Sequence, residues 1–163
     1  MKKLYLLLLL VLLVFHANAQ ENRFSLMPTI GLTSTILDNG LGIHLGVNPS
    51  IRLTERISAE GQISYSFINI SSSFISGNVG TVQSINTLAG GRFYFSAEDK
   101  NTRVFINLMS GLNYLREKEN DLVKDGEFNL GFTAGAFVEV KNITIGLSFE
   151  SPQNIALKLG HSF

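Results

Sequence analysis

The chain has 163 residues with 13 basic and 13 acidic side chains, so its formal charge is zero. It has no cysteine, which excludes disulfides, thiolate metal sites, a cysteine nucleophile and a lipidated N-terminal cysteine. Its basic residues form no clustered patch, so no nucleic-acid partner is expected.

Residues 1–19 read as an export signal. Met1, Lys2 and Lys3 make a basic start, Leu4 to Phe15 is an unbroken apolar run, and Ala17-Asn18-Ala19 supplies the small residues that signal peptidase needs. The apolar run is too short to cross a bilayer as a helix, which takes about 20 residues. Cleavage makes Gln20 the new N-terminus and leaves one domain, 20–163. Losing Lys2 and Lys3 leaves 11 basic against 13 acidic residues, a charge of −2.

Beyond the signal, apolar residues recur with period two, the period of a strand with two unlike faces. The first strand is predicted at 24–36, with Phe24, Leu26, Ile30, Leu32 and Ile36 on one face. Asp38-Asn39-Gly40 is a turn signal. The second strand, 41–53, sets Leu41, Ile43, Leu45, Val47, Ile51 and Leu53 against Gly42, His44, Gly46, Asn48, Ser50 and Arg52. Pro49 cannot donate to the ladder, so a bulge is expected there. After a tight turn at 54–56, the third strand, 57–68, sets Ile57, Ala59, Ile63, Tyr65 and Phe67 against Ser58, Glu60, Gln62, Ser64 and Ser66.

A Ser-, Asn- and Gly-rich loop follows at 69–82. The fourth strand, 83–96, carries Ile85, Ala89, Phe93 and Phe95 opposite Asn86, Gly90, Arg92 and Tyr94. A charged turn, 97–102, leads to the fifth strand, 103–115, with Val104, Ile106, Leu108, Leu112 and Tyr114 on one face. Residues 116–126 are the most charged stretch and read as a solvated loop. The sixth strand, 127–140, places Phe128, Leu130, Phe132, Ala134, Ala136, Val138 and Val140 opposite Asn129, Gly131, Thr133, Gly135 and Glu139. Lys141-Asn142 is a two-residue hairpin turn. The seventh strand, 143–150, ends in Glu150. The last, from Ile155, sets Ile155, Leu157, Leu159 and Phe163 against Ala156, Lys158, Gly160 and Ser162.

Eight strands, an even number, predict an all-β, eight-stranded antiparallel up-and-down transmembrane β-barrel. Both long loops, 69–82 and 116–126, fall at one end and the short turns at the other, as in outer-membrane barrels. The apolar rows carry very few charges mid-strand, where a Lys or Arg at the bilayer midplane would cost about 2–4 kcal/mol. The opposite rows carry both signs: Arg52, Glu60, Arg92, Glu139, Glu150 and Lys158. Aromatics gather near strand ends (Phe24, Tyr65, Phe67, Phe93, Phe95, Tyr114, Phe149, Phe163), as interfacial girdles do. The apolar rows are therefore expected to face lipid and the charges to form a barrel-interior network. An eight-stranded interior is just wide enough for its own side chains, which favours a packed plug over an open pore.

Two segments, I-N-T-L-A-G-G-R-F-Y-F (85–95) and N-L-G-F-T-A-G-A-F-V-E-V (129–140), resemble strands of the outer membrane protein β-barrel domain, in the OmpA/OmpX-like barrel superfamily. The resemblance covers the whole mature chain. It implies that Ile155, Leu157, Leu159 and Phe163 form a C-terminal assembly signal read by the barrel assembly machinery. His161 departs from the usual apolar or Tyr residue. It also implies an outer-membrane location in a Gram-negative cell, among outer-membrane lipids and lipopolysaccharide, with any surface partner engaging loops 69–82 and 116–126.

The expected role is structural or surface-interacting. A narrow porin-like channel and a lipid-modifying enzyme are the alternatives. His44 lies on the interior face, where Glu150 and a serine would be its partners in nucleophilic chemistry. No catalytic motif surrounds it, so the chain is expected not to be an enzyme. No clustered His or carboxylate ligands point to a metal, and no cofactor is expected.

Overall fold

A computed structural model describes residues 24–35, 40–70, 80–95, 101–119, 122–123, 125–151 and 154–163. The expected export signal, 1–19, and residues 20–23, 36–39, 71–79, 96–100, 120–121, 124 and 152–153 lie outside the described residues.

Eight long strands and one short one follow in order: β1 (Phe24–Thr35), β2 (Gly40–Arg52), β3 (Ile57–Ile70), β4 (Gly80–Tyr94), β5 (Thr102–Glu119), β6 (Leu122–Val123), β7 (Glu127–Val140), β8 (Ile143–Glu150) and β9 (Asn154–His161). Each long strand pairs antiparallel with its neighbours, and β9 returns to pair with β1. The eight long strands thus close into a barrel. The predicted sixth, seventh and eighth strands are β7, β8 and β9. Closure extends to the last residue, because Phe163 N–H donates to Leu26 C=O at 3.0 Å and Leu26 N–H donates to Phe163 C=O at 3.3 Å.

The register fixes the barrel's shape. Starting at Phe24, partners run Ile51, Ala59, Gly91, Leu108, Ala134, Phe149 and Ile155, and the circuit re-enters β1 at Ser34. The stagger around the barrel is therefore about ten residues. At about 3.3 Å per residue along a strand and about 4.8 Å between strands, this tilts the strands by about 40°. A circumference of eight strands leaves an interior that side chains can fill.

No bulge occurs at Pro49. The β2–β3 ladder skips two positions between Val47↔Ile63 and Ser50↔Glu60, yet its register is unchanged. Pro49 lies opposite Gly61 on that register, and even a Cβ there would meet the proline ring at 3.5 Å, an ordinary contact, so the ring fits between the strands without displacing them. The lost donor thus costs ladder bonds and not an extra residue. Pro28 is handled alike, since β1–β9 pairing resumes on the same register from Thr29↔Gly160 to the Leu26–Phe163 bonds.

Two of the predicted loops are shorter than expected. Residues 69–70 and 80–82 are paired strand, through Asn69↔Thr81 and Ile70↔Gly80. The charged segment is a solvated loop only in part, because β5 runs on through Arg116, Glu117 and Lys118 to Glu119, pairs with β4, and is followed by β6. Backbone pairing is indifferent to side-chain charge when both faces of the ribbon meet water. At the opposite end the turns are tight. Thr54 Oγ accepts from the N–H groups of Arg56 (3.3 Å) and Ile57 (3.1 Å), and Lys141 adopts a left-handed conformation at φ 56°.

Polarity is inverted relative to a soluble domain. Ile30, Leu45, Leu108, Leu130, Leu147 and Leu157 are exposed on the outer surface, with Leu130 at 76%. His44, Gln62, Asn86, Glu60, Arg92 and Lys158 are buried inside. Among the described strand residues, the outward rows carry no Asp, Glu, Lys or Arg until Arg116 and Lys118, at the far end of β5. Aromatic pairs border the apolar belt at both ends. Phe93–Phe95 and His161–Phe163 lie where the chain ends meet, and Tyr114–Phe128 lies at the other end. Below, the near end is where β1 begins and β9 finishes.

Candidate functional site

The interior rows of the strands deliver polar side chains to the lumen, where those of β2, β3, β4, β8 and β9 join in one network. Strand alternation is the cause: in β3, Ser58, Glu60, Gln62, Ser64 and Ser66 all point inward, as predicted. Glu60 and Arg92 meet as a two-pronged pair, Arg92 Nη2 to Glu60 Oε1 at 2.6 Å and Nε to Oε2 at 3.1 Å. The contact is diagonal, since Glu60 is directly opposite Gly90 and Arg92 opposite Ser58. The small residues at those partner positions leave space for the charged heads to cross. Arg92 also donates to the Tyr94 hydroxyl (3.0 Å), and its guanidinium lies 4.3 Å from the centre of the Phe105 ring.

From Glu60 the network runs toward the far end. Asn48 Nδ2 donates to Glu60 (2.9 Å) and to Gln62 Oε1 (3.4 Å). Gln62 Nε2 donates to Glu150 Oε1 and to Ser64 Oγ, each at 3.0 Å. Lys158 pairs with Glu150. His44 Nδ1 lies 3.1 Å from Ser66 Oγ and 3.4 Å from Glu150 Oε2. Side chains from β2, β3, β4, β8 and β9 are therefore tied together across the lumen. Each charge has an opposite partner, which is the condition for keeping ions out of water. A separate cluster lies beside it, where Asn113 Nδ2 donates to Ser84 Oγ (2.6 Å) and Asn86 Oδ1 (2.8 Å).

Glu139 pairs with Arg103, at the near end. Arg103 was not among the expected interior charges. It is the second residue of β5, beside a charged turn, where a basic side chain reads as solvated. Its position, one residue before Val104 of the outward row, is the signal that places it inside. Arg52 lines the same near-end cavity as Arg103 and Glu139. The structure thus brings Glu60 to Arg92 and Glu150 to Lys158, and holds Arg52 and Glu139 together at one mouth.

The interior is not uniformly polar. Phe105, Phe137 and Tyr94 form a buried aromatic cluster, with Phe105 and Phe137 stacked at 5.0 Å between ring centres. Arg92 and Arg103 cap it with their guanidinium faces, Arg103 at 4.7 Å from the Tyr94 ring. Met27, Leu88, Met109 and Ile68 are buried in the same inward rows.

His44, Ser66 and Glu150 do come together, but not as a nucleophile relay. In such a relay the carboxylate orients one ring nitrogen while the other takes the hydroxyl proton. Here Ser66 and Glu150 share Nδ1, and Nε2 has no hydrogen-bond partner among the described residues. His44 is also fully buried. Among the described residues no group of three His, Cys, Asp or Glu side chains is arranged to hold a metal.

Polar and hydrogen-bonded inside, apolar outside and closed by its first and last strands, the chain is an eight-stranded antiparallel transmembrane β-barrel. Its fold is that of small outer-membrane barrels. It is similar to Ail, the attachment invasion locus protein of Yersinia pestis, solved with the heparin analogue sucrose octasulfate (TM-score 0.55, 15% identity, 86% of this chain and 97% of that one). It is similar to Neisserial surface protein A (TM-score 0.57, 11% identity, 85% and 95%) and to the N-terminal β-barrel domain of Pseudomonas aeruginosa OprF (TM-score 0.51, 11% identity, 86% and 98%). No protein-family model matches the sequence, and no curated protein matches it.

Proposed function

We propose that this chain is an integral outer-membrane protein whose barrel is a closed, filled anchor for its far-end loops. The carrying observation is the interior network. Glu60, Arg92, Gln62, Glu150 and Lys158 are each at most 3% exposed and bridge the lumen from several strands. A water-filled channel needs its polar groups wet. On this reading the near end faces the periplasm, and the far end, with the β4–β5 ribbon and the segments at 69–82 and 116–126, faces outward toward lipopolysaccharide or a surface partner. Residues 1–19 are the cleaved export signal, and the barrel assembly machinery engages Ile155, Leu157, Leu159 and Phe163.

Planar-bilayer recording tests the filled-anchor reading against the porin-like alternative. The purified barrel is expected to be electrically silent. Steady single-channel steps that shrink on neutralising Arg92 or Glu60 would overturn it. Cell fractionation tests location: recovery with the outer membrane as a chain starting at Gln20 is expected, and recovery as a soluble protein would refute it.

A further inference from the structure

His161 breaks the apolar row of the terminal strand, and the fold turns two of its polar groups toward one spot on the lipid-facing surface. Its side chain is exposed on the outward face of β9, beside the Phe163 ring at 4.5 Å between ring centres. Its carbonyl lies in the sheet and points at β1. The neighbouring bonds fix this direction: Ser162 N–H donates to Asn142 on the β8 side, and Phe163 exchanges bonds with Leu26 on the β1 side. Strand alternation therefore aims His161 N–H and C=O at β1. One step beyond Thr29↔Gly160, the residue they meet is Pro28. Proline has no N–H, so it donates nothing to the His161 carbonyl.

The same spot opens an apolar groove. Two depressions of about 380 and 410 Å³ share Ile30 and Leu159, so they run together along the closing β1–β9 seam. The first begins at Pro28 and His161, and the second reaches Leu32, Leu157 and Ile145. His161 and Leu157 are four residues apart on β9, about 13 Å along the strand. At a tilt of about 40° this is about 10 Å of membrane depth, against about 15 Å for the hydrocarbon of one leaflet. The groove thus follows an acyl chain through most of a leaflet. It starts at the near-end aromatic border, the level of the headgroups. A backbone carbonyl left without a donor beside lipid is costly, because hydrocarbon supplies none. A headgroup at the groove mouth does.

We propose that the β1–β9 seam binds one ethanolamine phospholipid of the near-end leaflet. An acyl chain lies in the groove, the phosphate accepts from the His161 ring N–H, and the ammonium donates to the His161 carbonyl. Any phospholipid supplies the chain. The two ends of the headgroup select, since one residue offers a donor and an acceptor, and phosphate and ammonium are joined by only two carbons. Choline carries the same charges but has no N–H to donate. The inference rests on the barrel lying in a bilayer and not on its lumen being filled: a conducting barrel would sink the anchor reading and leave this site standing.

The test places the folded barrel in phosphatidylcholine nanodiscs with rising fractions of phosphatidylethanolamine, with histidine carbonyls labelled for NMR. The His161 carbonyl is expected to shift saturably, and that of His44, which is fully buried in the lumen, to stay unmoved. Native mass spectrometry of barrels released from an equal mixture should find ethanolamine lipid retained about tenfold over choline lipid, the worth of one charge-assisted hydrogen bond. Pro28→Ala restores an N–H facing the His161 carbonyl. It should therefore abolish the preference while keeping the heat-dependent gel mobility of a folded barrel. His161→Leu keeps the carbonyl but removes the phosphate donor, and should weaken retention of both lipids; if that variant does not fold, Pro28→Ala decides alone. Equal retention of the two lipids, an unmoved His161 carbonyl, or a preference that survives Pro28→Ala would each overturn the proposal.

Discussion

Glu60→Ala probes the filled interior most sharply. Glu60 accepts two bonds from Arg92 and one from Asn48, and both Glu60 and Arg92 are nearly inaccessible. Truncation strands the Arg92 guanidinium with only the Tyr94 hydroxyl and the Phe105 face. Removing one partner of a buried ion pair costs about 3–5 kcal/mol, because the surviving charge stays desolvated. Glu60→Gln keeps the volume and one acceptor and should cost about 1–3 kcal/mol. The pair Glu60→Leu with Arg92→Met removes both charges and should recover most of the loss, since apolar replacement of a whole buried pair is often close to neutral. The assay is reversible urea unfolding in lipid vesicles. The chain has no tryptophan, so circular dichroism and heat-dependent gel mobility report the folded fraction. If Glu60→Ala costs less than about 1 kcal/mol, water reaches Arg92 and the lumen is not a dry plug.

Adjacent glycines in β4 give a paired test. A Cβ at Gly90 would lie 2.0 Å from Leu108 O and 2.6 Å from Met109 Cα, whereas one at Gly91 would meet only Ser58 O at 3.6 Å. Gly90→Ala should therefore destabilise by about 1–3 kcal/mol through overpacking against backbone, and Gly91→Ala should fold as wild type in the same urea series. At the chain end, Phe163→Ala should lower the folded fraction assembled in cells, while His161→Tyr keeps a ring beside Phe163 and should not; quantitative gels of heat-modifiable protein compare the two.

The faces of the barrel were readable because lipid outside and polar groups inside impose one period on every strand. The row Leu41 to Ile51 on β2 and the row Ile143 to Phe149 on β8 lie outward as their alternation predicts. Glu60 and Arg92 fall on the polar rows of adjacent strands by parity alone, but that their contact is diagonal comes from the register. Side chains that break the polarity rule were not readable. Phe105 and Phe137 lie in inward rows by parity but are apolar, and their stacked rings fill lumen volume against which the paired Arg92 guanidinium packs. Arg103 was hidden because a charge next to a turn reads as solvated. The continuation of β5 through Arg116 to Glu119 was hidden for the same reason, since its support comes from β4 backbone across the ribbon.

The central claim is the inverted polarity itself: apolar rows in lipid and a dry polar lumen. Methyl-labelled protein in nanodiscs tests it through magnetisation transfer from lipid acyl chains. Transfer is predicted to Ile30, Leu45, Leu108, Leu147 and Leu157, with none to Met27, Ile68, Leu88 or Met109, which are buried inside. Acyl-chain contacts at the second group, or their absence from the first, would contradict the account.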